Sequence, residues 1–348
     1  MRKILIATDA WHPQVNGVVR SLDAIAREAH QFDTEIDFLT PHGFYSLPLP
    51  SYPDIRLSIC TPRMVQQRIA ALQPDYLHIA TEGTIGWSVR AHCLRVGRPF
   101  TTSYHTRFPE YVSARWPIPE AASYAVLRQF HNAACATMVT TPSLQRELEG
   151  RGFRHIVRWS RGVDTALFRP HETDVLAGLP RPIFLYVGRV AVEKNIESFL
   201  ALDIPGTKVV VGDGPQRAVL ATRYPETRFM GMREGEELAD IYAASDVFVF
   251  PSRTDTFGIV LLEALASGLP IAAYPVTGPL DVVGGTDVGV LNEDLAVAAR
   301  GAVAIPSERC RDFAMKLTWA ESARQFIDNI TTAHAQVGDA RSEQLKVS

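Results

Sequence analysis

Two stretches of the chain open in the same way. Arg-Lys-Ile-Leu-Ile-Ala-Thr-Asp from residue 2 and Arg-Pro-Ile-Phe-Leu-Tyr-Val-Gly-Arg from residue 181 are short apolar runs, each leading into a loop and then a helical segment. This repeated strand–loop–helix opening constrains the fold more than any other feature. Further apolar runs recur near 35–39, 76–80, 100–103 and 136–141 in the first half, and near 207–211, 246–250, 270–274 and 288–291 in the second, with helical segments between them. Runs this short and this uniformly apolar read as strands buried on both faces. Their alternation with helices predicts parallel sheets with helices on both sides, an α/β doubly wound architecture made twice. The predicted domains are 1–168 and 169–318, joined near Gly162 and Pro170, followed by an amphipathic helix over 319–335 expected to pack back toward the first domain.

Bulk properties bound the function. At 348 residues, 46% hydrophobic and 21% charged, the chain has the profile of a soluble globular protein long enough for two domains. Its first apolar run is too short for a signal-peptide core, and no run approaches the roughly 18 residues of a membrane span. The four cysteines are scattered, with no Cys-x-x-Cys, which predicts reduced thiols, a cytoplasmic setting and no metal site. Residues 1–168 hold 18 Lys+Arg against 14 Asp+Glu, a net of +4, and the remainder carries −7. The split suggests that the first half meets an anionic surface such as a membrane, with ordinary compositional scatter as the other explanation.

In doubly wound sheets ligands sit at the carboxyl ends of strands, so the loops there are the informative ones. After the strand ending at Val187 come Gly188, Arg189 and, five residues on, Lys194, one of only five lysines beside thirty arginines. A strand-end Arg and a helix-start Lys can clamp a diphosphate, or be two solvated cations. The segment Ser-Arg-Thr-Asp-Thr-Phe-Gly-Ile-Val-Leu-Leu-Glu-Ala-Leu-Ala-Ser-Gly (252–268) sets Gly258 at a helix start, where open N–H groups and the helix dipole favour an anion. That makes the backbone from Phe257 through Gly258, Ile259 and Val260 a candidate donor contact. Asp255 and Glu263 would repel a diphosphate, so they are expected to accept hydrogen bonds from hydroxyls. Glu263 lies about 7 Å along the helix, which suits a ribose; Asp255, before the turn, suits a sugar. The set describes a nucleotide-sugar.

Gly-Arg-Val-Ala-Val-Glu-Lys-Asn, Val-Gly-Asp-Gly-Pro and the 252–268 segment together resemble the donor half of retaining glycosyltransferases of family 4, whose fold, GT-B, is two Rossmann-like domains facing across a cleft. Thr-Asp-Ala-Trp-His-Pro-Gln-Val-Asn-Gly resembles the family's opening loop, Ser-Tyr-His-Thr-Arg-Phe-Pro-Glu-Tyr-Val its active-site histidine loop, and Arg-Gly-Val-Asp-Thr-Ala-Leu-Phe adds to them. The likeness runs from about residue 4 to 330. It departs at one position: the family pattern is Glu-x7-Glu, and here the first acid is Asp255, shorter by about 1.5 Å. The resemblance implies metal-independent transfer with retention, without a cofactor. In it Gly17 lies near the diphosphate, His105 lies beside the donor sugar, and Arg189 and Lys194 neutralise the departing diphosphate, an electrostatic role like an oxyanion hole. Asp9 is a candidate for orienting the acceptor hydroxyl or for capping the loop after the first strand; Asn16 is a further acceptor candidate.

The acceptor is expected to be a lipid. Residues 41–57 are Pro-rich with Phe44, Leu47, Leu49 and Tyr52, and 107–118 combine Phe108, Tyr111, Trp116 and Ile118 with Arg107 and Arg115. Aromatics beside basic residues suit shallow attachment to anionic lipid, or packing within the first domain. The two segments also resemble bacterial glycolipid synthases of the glucosyl, glucuronosyl and sulfoquinovosyl type. The expectation is therefore transfer of a hexose or hexuronic acid from UDP-glucose or UDP-glucuronate to diacylglycerol, at the inner face of the cell membrane. Arg107 would meet a C6 carboxylate, bind lipid phosphate or solvate its loop. No nucleic-acid or protein partner is implied. Alternatives are a mannosyltransferase or other family 4 enzyme acting on a glycan or phosphoinositide-type acceptor, a nucleotide-sugar 2-epimerase, and a non-catalytic sensor. A dinucleotide dehydrogenase is disfavoured because Gly-Asp-Gly-Pro-Gln-Arg lacks the third glycine of that fingerprint.

Overall fold

A computed structural model describes residues 1–12, 17–49, 52–105, 109, 118–255 and 257–347, with backbone alone at 47–49, 52–57 and 339–347. The chain divides into two compact units, Met1–Ser160 with Trp319–Ser348, and Arg161–Thr318. The join thus lies at 160/161, upstream of the boundary drawn from the sequence at 168.

The first unit contains β1 (Arg2–Ala7), β2 (Thr34–Leu39), β5 (Tyr76–Ile79), β6 (Thr101–Ser103), β7 (Ala136–Val139) and β8 (Ile156–Arg158) in one sheet, order β2-β1-β5-β6-β7-β8. The pairings are parallel throughout. A separate antiparallel hairpin, β3 (Ser46–Leu49) with β4 (Tyr52–Ser58), occupies the Pro-rich stretch that the sequence presents as a connection. The second unit repeats the plan with β9 (Ile183–Val187), β10 (Thr207–Val211), β11 (Arg228–Gly231), β12 (Val247–Phe250), β13 (Ile271–Ala273) and β14 (Gly289–Leu291), order β11-β10-β9-β12-β13-β14, again all parallel.

Both sheets are covered on both faces, and the period of two along each strand divides its residues between two cores. In β1, Leu5 and Ala7 join one cluster and Ile4 and Ile6 the other. In β9, Ile183, Leu185 and Val187 face one side, Phe184 and Tyr186 the opposite one. The helix Trp319–Val347 supplies Ala323, Phe326, Ile327 and Ile330 to the cluster that holds Ile4, Ile6 and Trp159. Trp159 Nε1 donates to the Ser322 carbonyl at 3.2 Å and its hydroxyl at 3.0 Å, and the Ser160 N–H donates to Gln325 Oε1 at 2.7 Å. The amphipathic helix expected over 319–335 runs on to Val347. Residues 341–346 are mostly good helix formers, which sustain a helix without the apolar stripe that would advertise it.

The strand order places the topological switch points. In the first unit β1 lies between β2 and β5, so connections leave in opposite directions from the β1/β5 pair; in the second unit the same holds for β9/β12. A crevice for ligand is expected at the carboxyl ends of those pairs.

Candidate active site

In the second unit the loops after β9 and β12 meet. Lys194 Nζ donates to Asp255 Oδ1 at 2.5 Å, with side chains 27% and 19% exposed. Asn195, in the left-handed region at φ 51°, donates from Nδ2 to the Pro251 carbonyl at 3.1 Å, and Thr254 Oγ1 donates to the Glu193 carbonyl at 3.3 Å. Three cross-links thus fasten the two loops at the switch point. Arg189 is more than half exposed and faces Glu193, four residues on, at 3.7 Å. Its backbone is fixed by Tyr186, whose hydroxyl donates to the Arg189 carbonyl at 2.8 Å. Burial, with Asp255 and Glu193 nearby, raises the Tyr186 phenol well above its ordinary value, so it stays protonated as a donor.

The helix Ile259–Ala266 begins directly beyond. Its N-cap is Gly258 at φ 82°, ψ 85°, with no side-chain cap. A Cβ there would stand 3.0 Å from the Phe250 ring in a backbone conformation that side chains resist, so glycine is required. Among the described residues the N–H groups of Ile259 and Val260 have no hydrogen-bond partner, leaving this helix end open to an anion. Phe257 and Val260 lean on the core. At the other end of this helix the Arg311 guanidinium donates to the Ala266 carbonyl, and also to those of Phe168 and Thr165, each at 2.8 Å.

Glu263, one turn in, is 4% exposed. Tyr242, itself fully buried, donates its hydroxyl to Glu263 Oε2 at 3.1 Å. A carboxylate among Leu261, Leu262, Ala264 and Leu265 needs such a partner. Nothing in the pattern around Tyr242 marked it. It reads as one apolar position among several in the Gly235–Ala244 helix.

The first unit holds the remaining candidates. Asp9, after β1, accepts from the Ile85 and Gly86 N–H groups at 2.9 and 3.3 Å and from the Thr84 and Thr81 hydroxyls at 3.2 Å each. It therefore caps the Thr84–Val96 helix across the β1/β5 switch point. A Cβ on Gly83 would stand 2.3 Å from Asp9 Cγ, so glycine makes room for the cap. The element Asp9 caps is this neighbouring helix, not the loop after β1. Burial raises the Asp9 carboxyl above its usual value against the pull of these hydrogen bonds. Gly17 is exposed at the start of the Gly17–Ala29 helix. His105 follows β6 and packs edge-on against Trp159, ring centroids 5.8 Å apart. Asn16 and Arg107 lie outside the described residues, as do Phe108, Tyr111, Arg115 and Trp116.

A pair of buried histidines under the same strand ends escaped the sequence reading. His78 on β5 bonds Thr101 Oγ1 at 2.9 Å and Ser103 Oγ at 3.0 Å. His131, at the end of the Glu120–His131 helix, bonds Thr102 Oγ1 at 2.9 Å and Glu82 Oε1 at 3.0 Å. Single histidines in apolar runs carry no motif; the alternation of Thr101, Thr102 and Ser103 along β6 is the only sequence cue to their partners. Among the described residues no group of three His, Cys, Asp or Glu side chains is placed to hold a metal ion, and no helix is long and apolar enough to cross a membrane.

Two doubly wound parallel sheets, one with a cation, an acid and an open helix end at its switch point, give the chain the GT-B fold. A comparison with solved structures agrees: sucrose-phosphate synthase from Thermosynechococcus elongatus superposes with a TM-score of 0.69 at 20% identity, over 100% of both chains. Residues 15–167 match the Glycosyltransferase Family 4 model and 181–305 the Glycosyl transferases group 1 model. A GDP-mannose-dependent alpha-mannosyltransferase of Mycobacterium tuberculosis (strain CDC 1551 / Oshkosh) is 32% identical over 315 residues, 83% of each chain. Sulfoquinovosyl transferase SQD2 of Arabidopsis thaliana is 31% identical over 261 residues, 69% of this chain and 50% of the relative. The chain belongs to glycosyltransferase family 4.

Proposed function

We propose that the protein transfers a hexose from a nucleoside-diphosphate sugar to a hydroxyl of a lipid acceptor, with retention and without a metal. The observation that carries the donor assignment is the Lys194–Asp255 pair beside the open end of the Ile259–Ala266 helix, at the switch point of the second unit. In this reading the diphosphate takes the Ile259 and Val260 N–H groups and the Lys194 ammonium, with Arg189 nearby to balance the charge that grows as the sugar leaves. Asp255 receives a sugar hydroxyl and Glu263 the ribose. The bond from the anomeric carbon to the phosphate oxygen breaks, the acceptor oxygen bonds that carbon from the same face, and the acceptor's proton passes to the departing phosphate.

Similarity to a GDP-mannose-dependent alpha-mannosyltransferase over 83% of both chains favours GDP-mannose ahead of UDP-glucose and UDP-glucuronate as donor. The lipid assignment is supported by apolar side chains beside the hairpin: Tyr45 is 87% and Ile59 56% exposed, with Arg63 and Arg68 exposed on the adjacent Pro62–Leu72 helix. Such a surface suits peripheral attachment to anionic lipid. The test is a thermal-shift panel of GDP-mannose, UDP-glucose and UDP-glucuronate, followed by incubation of the stabilising, radiolabelled donor with vesicles containing diacylglycerol. Label entering lipid supports the reading. Stabilisation by a donor whose label never leaves the aqueous phase refutes the lipid acceptor, and an epimerised donor points to the epimerase.

A further inference from the structure

We infer that Glu82, held in place by His131, is the carboxylate that receives the acceptor's hydroxyl in the first unit; this rests on the transferase reading above. Three observations lead to it. Glu82 lies in the loop after β5, one of the two strands at that unit's switch point, where a doubly wound sheet offers its crevice. Asp9, on the other loop of the same pair, has both oxygens committed to the Thr84–Val96 helix and to Thr81. Glu82 has only one oxygen engaged. Oε1 is bonded to His131 Nε2 at 3.0 Å, and among the described residues Oε2 has no partner. The Glu82 side chain is 18% exposed, so it is shielded yet reachable.

A chain of buried and part-buried hydrogen bonds holds Glu82. The His131 side chain is 1% exposed. Its Nδ1 is tied to Thr102 Oγ1 on β6, which in turn meets Thr137 Oγ1 on β7 at 3.0 Å. Because the Glu82 carboxylate can only accept, Nε2 carries a proton and points it at Oε1, which holds the direction of Glu82. A carboxylate fixed through one oxygen, with the other unengaged among the described residues in a loop at the switch point, is suited to orient a hydroxyl group. His131 is a positioning residue in this arrangement, and Glu82 is the group that touches the acceptor.

The test uses the full chain, the donor selected by the panel, and dioleoylglycerol in phosphatidylglycerol vesicles as acceptor probe. Glu82→Gln keeps the shape but removes the charge, and its acceptor KM is expected to rise roughly 10- to 100-fold while donor affinity by thermal shift is unchanged. His131→Gln puts an amide donor near the Nε2 position and is expected to stay within about threefold of wild type. His131→Asn replaces the contact to Thr102 but leaves Glu82 without its donor, and is expected to behave like Glu82→Gln. A purely structural role would make the two His131 variants alike, judged by acceptor KM with folding checked by melting temperature. Equal effects of Gln and Asn, an unchanged acceptor KM in Glu82→Gln, or an equal loss of donor affinity in that variant overturns the inference. Failure of the underlying reading looks different: wild type itself transfers no sugar to any hydroxyl acceptor, and the inference falls with it.

Discussion

Replacing Asp255 by Asn should tighten the binding of a free nucleoside diphosphate while slowing sugar transfer. The Lys194 ammonium is engaged by Asp255 at 2.5 Å, with both side chains mostly shielded. Such a pair is worth about 1–2 kcal/mol once solvent screening is allowed for. A diphosphate that recruits Lys194 must compete with the carboxylate and also sit near it. Two like charges about 6 Å apart at an effective dielectric of about 20 repel by about 3 kcal/mol, which partial exposure reduces further. The combined effect is of the order of 1.5–2 kcal/mol, roughly 10- to 30-fold in Kd. Isothermal titration of GDP, and of UDP in parallel, into wild type and Asp255→Asn measures it. Lys194→Met should weaken the same binding, and in the double variant the gain from Asp255→Asn should shrink because no lysine remains to be freed. Unchanged or weaker diphosphate binding by Asp255→Asn would show that Lys194 does not meet the diphosphate, and the donor site would have to be placed elsewhere.

Three further outcomes are expected. Tyr242→Phe removes the phenol donor from the buried Glu263 and should lower stability by about 1–3 kcal/mol and weaken donor binding, read from melting curves with and without donor; a neutral effect on both would mean the contact is idle. Gly258→Ala forces a side chain into the left-handed region against Phe250 and should lower stability by about 1–2 kcal/mol and weaken the diphosphate as the helix end shifts, whereas wild-type GDP affinity in that variant would dissociate the helix end from donor binding. The first unit should lose stability in acid: burial lowers the ring pKa of His78 to about 3 and of His334 to about 4, so the unfolded chain takes up those protons first. Their contribution is then complete above about pH 6.5 and declines as pH falls toward 3, by about 2 kcal/mol at pH 5 for His78 alone. All five tryptophans belong to that unit, so the urea midpoint by tryptophan fluorescence reads it, and a pH slope in His78→Gln equal to wild type would remove His78 from the account.

Much of the fold was legible because parallel strands buried on both faces are written as short uninterrupted apolar runs. Val247–Phe250 and Thr207–Val211 stand out for that reason. The strands that sequence reasoning missed, Ile156–Arg158 and Arg228–Gly231, lie at sheet edges, where half-exposed positions admit arginine and interrupt the run. The hairpin Ser46–Ser58 was hidden by its prolines, which edge strands tolerate. The candidate residues around the Ile259–Ala266 helix stood out one by one, since Gly258 and the acids around it have a spacing that means something along a helix. Their pairing was not: the contact of Lys194 with Asp255 spans 61 positions and depends on β9 and β12 being neighbours, which the order of strands in the chain does not reveal. Tyr242 and His131 were invisible for a related reason. A buried Tyr or His looks like filler until the polar atom opposite it is known.

The last helix has a consequence for how the chain is made. Residues 161–318 form a unit continuous in sequence, but the first unit is completed only by Ala323, Phe326, Ile327 and Ile330. During translation Ile4, Ile6 and Trp159 therefore wait uncovered while the whole second unit emerges, roughly 10–30 s at ordinary elongation rates. The later-made unit is free to fold first, and the earlier one remains an open sheet and a target for chaperones until the final segment leaves the ribosome. A message truncated after codon 318 would yield one sound unit and one with a bare apolar face.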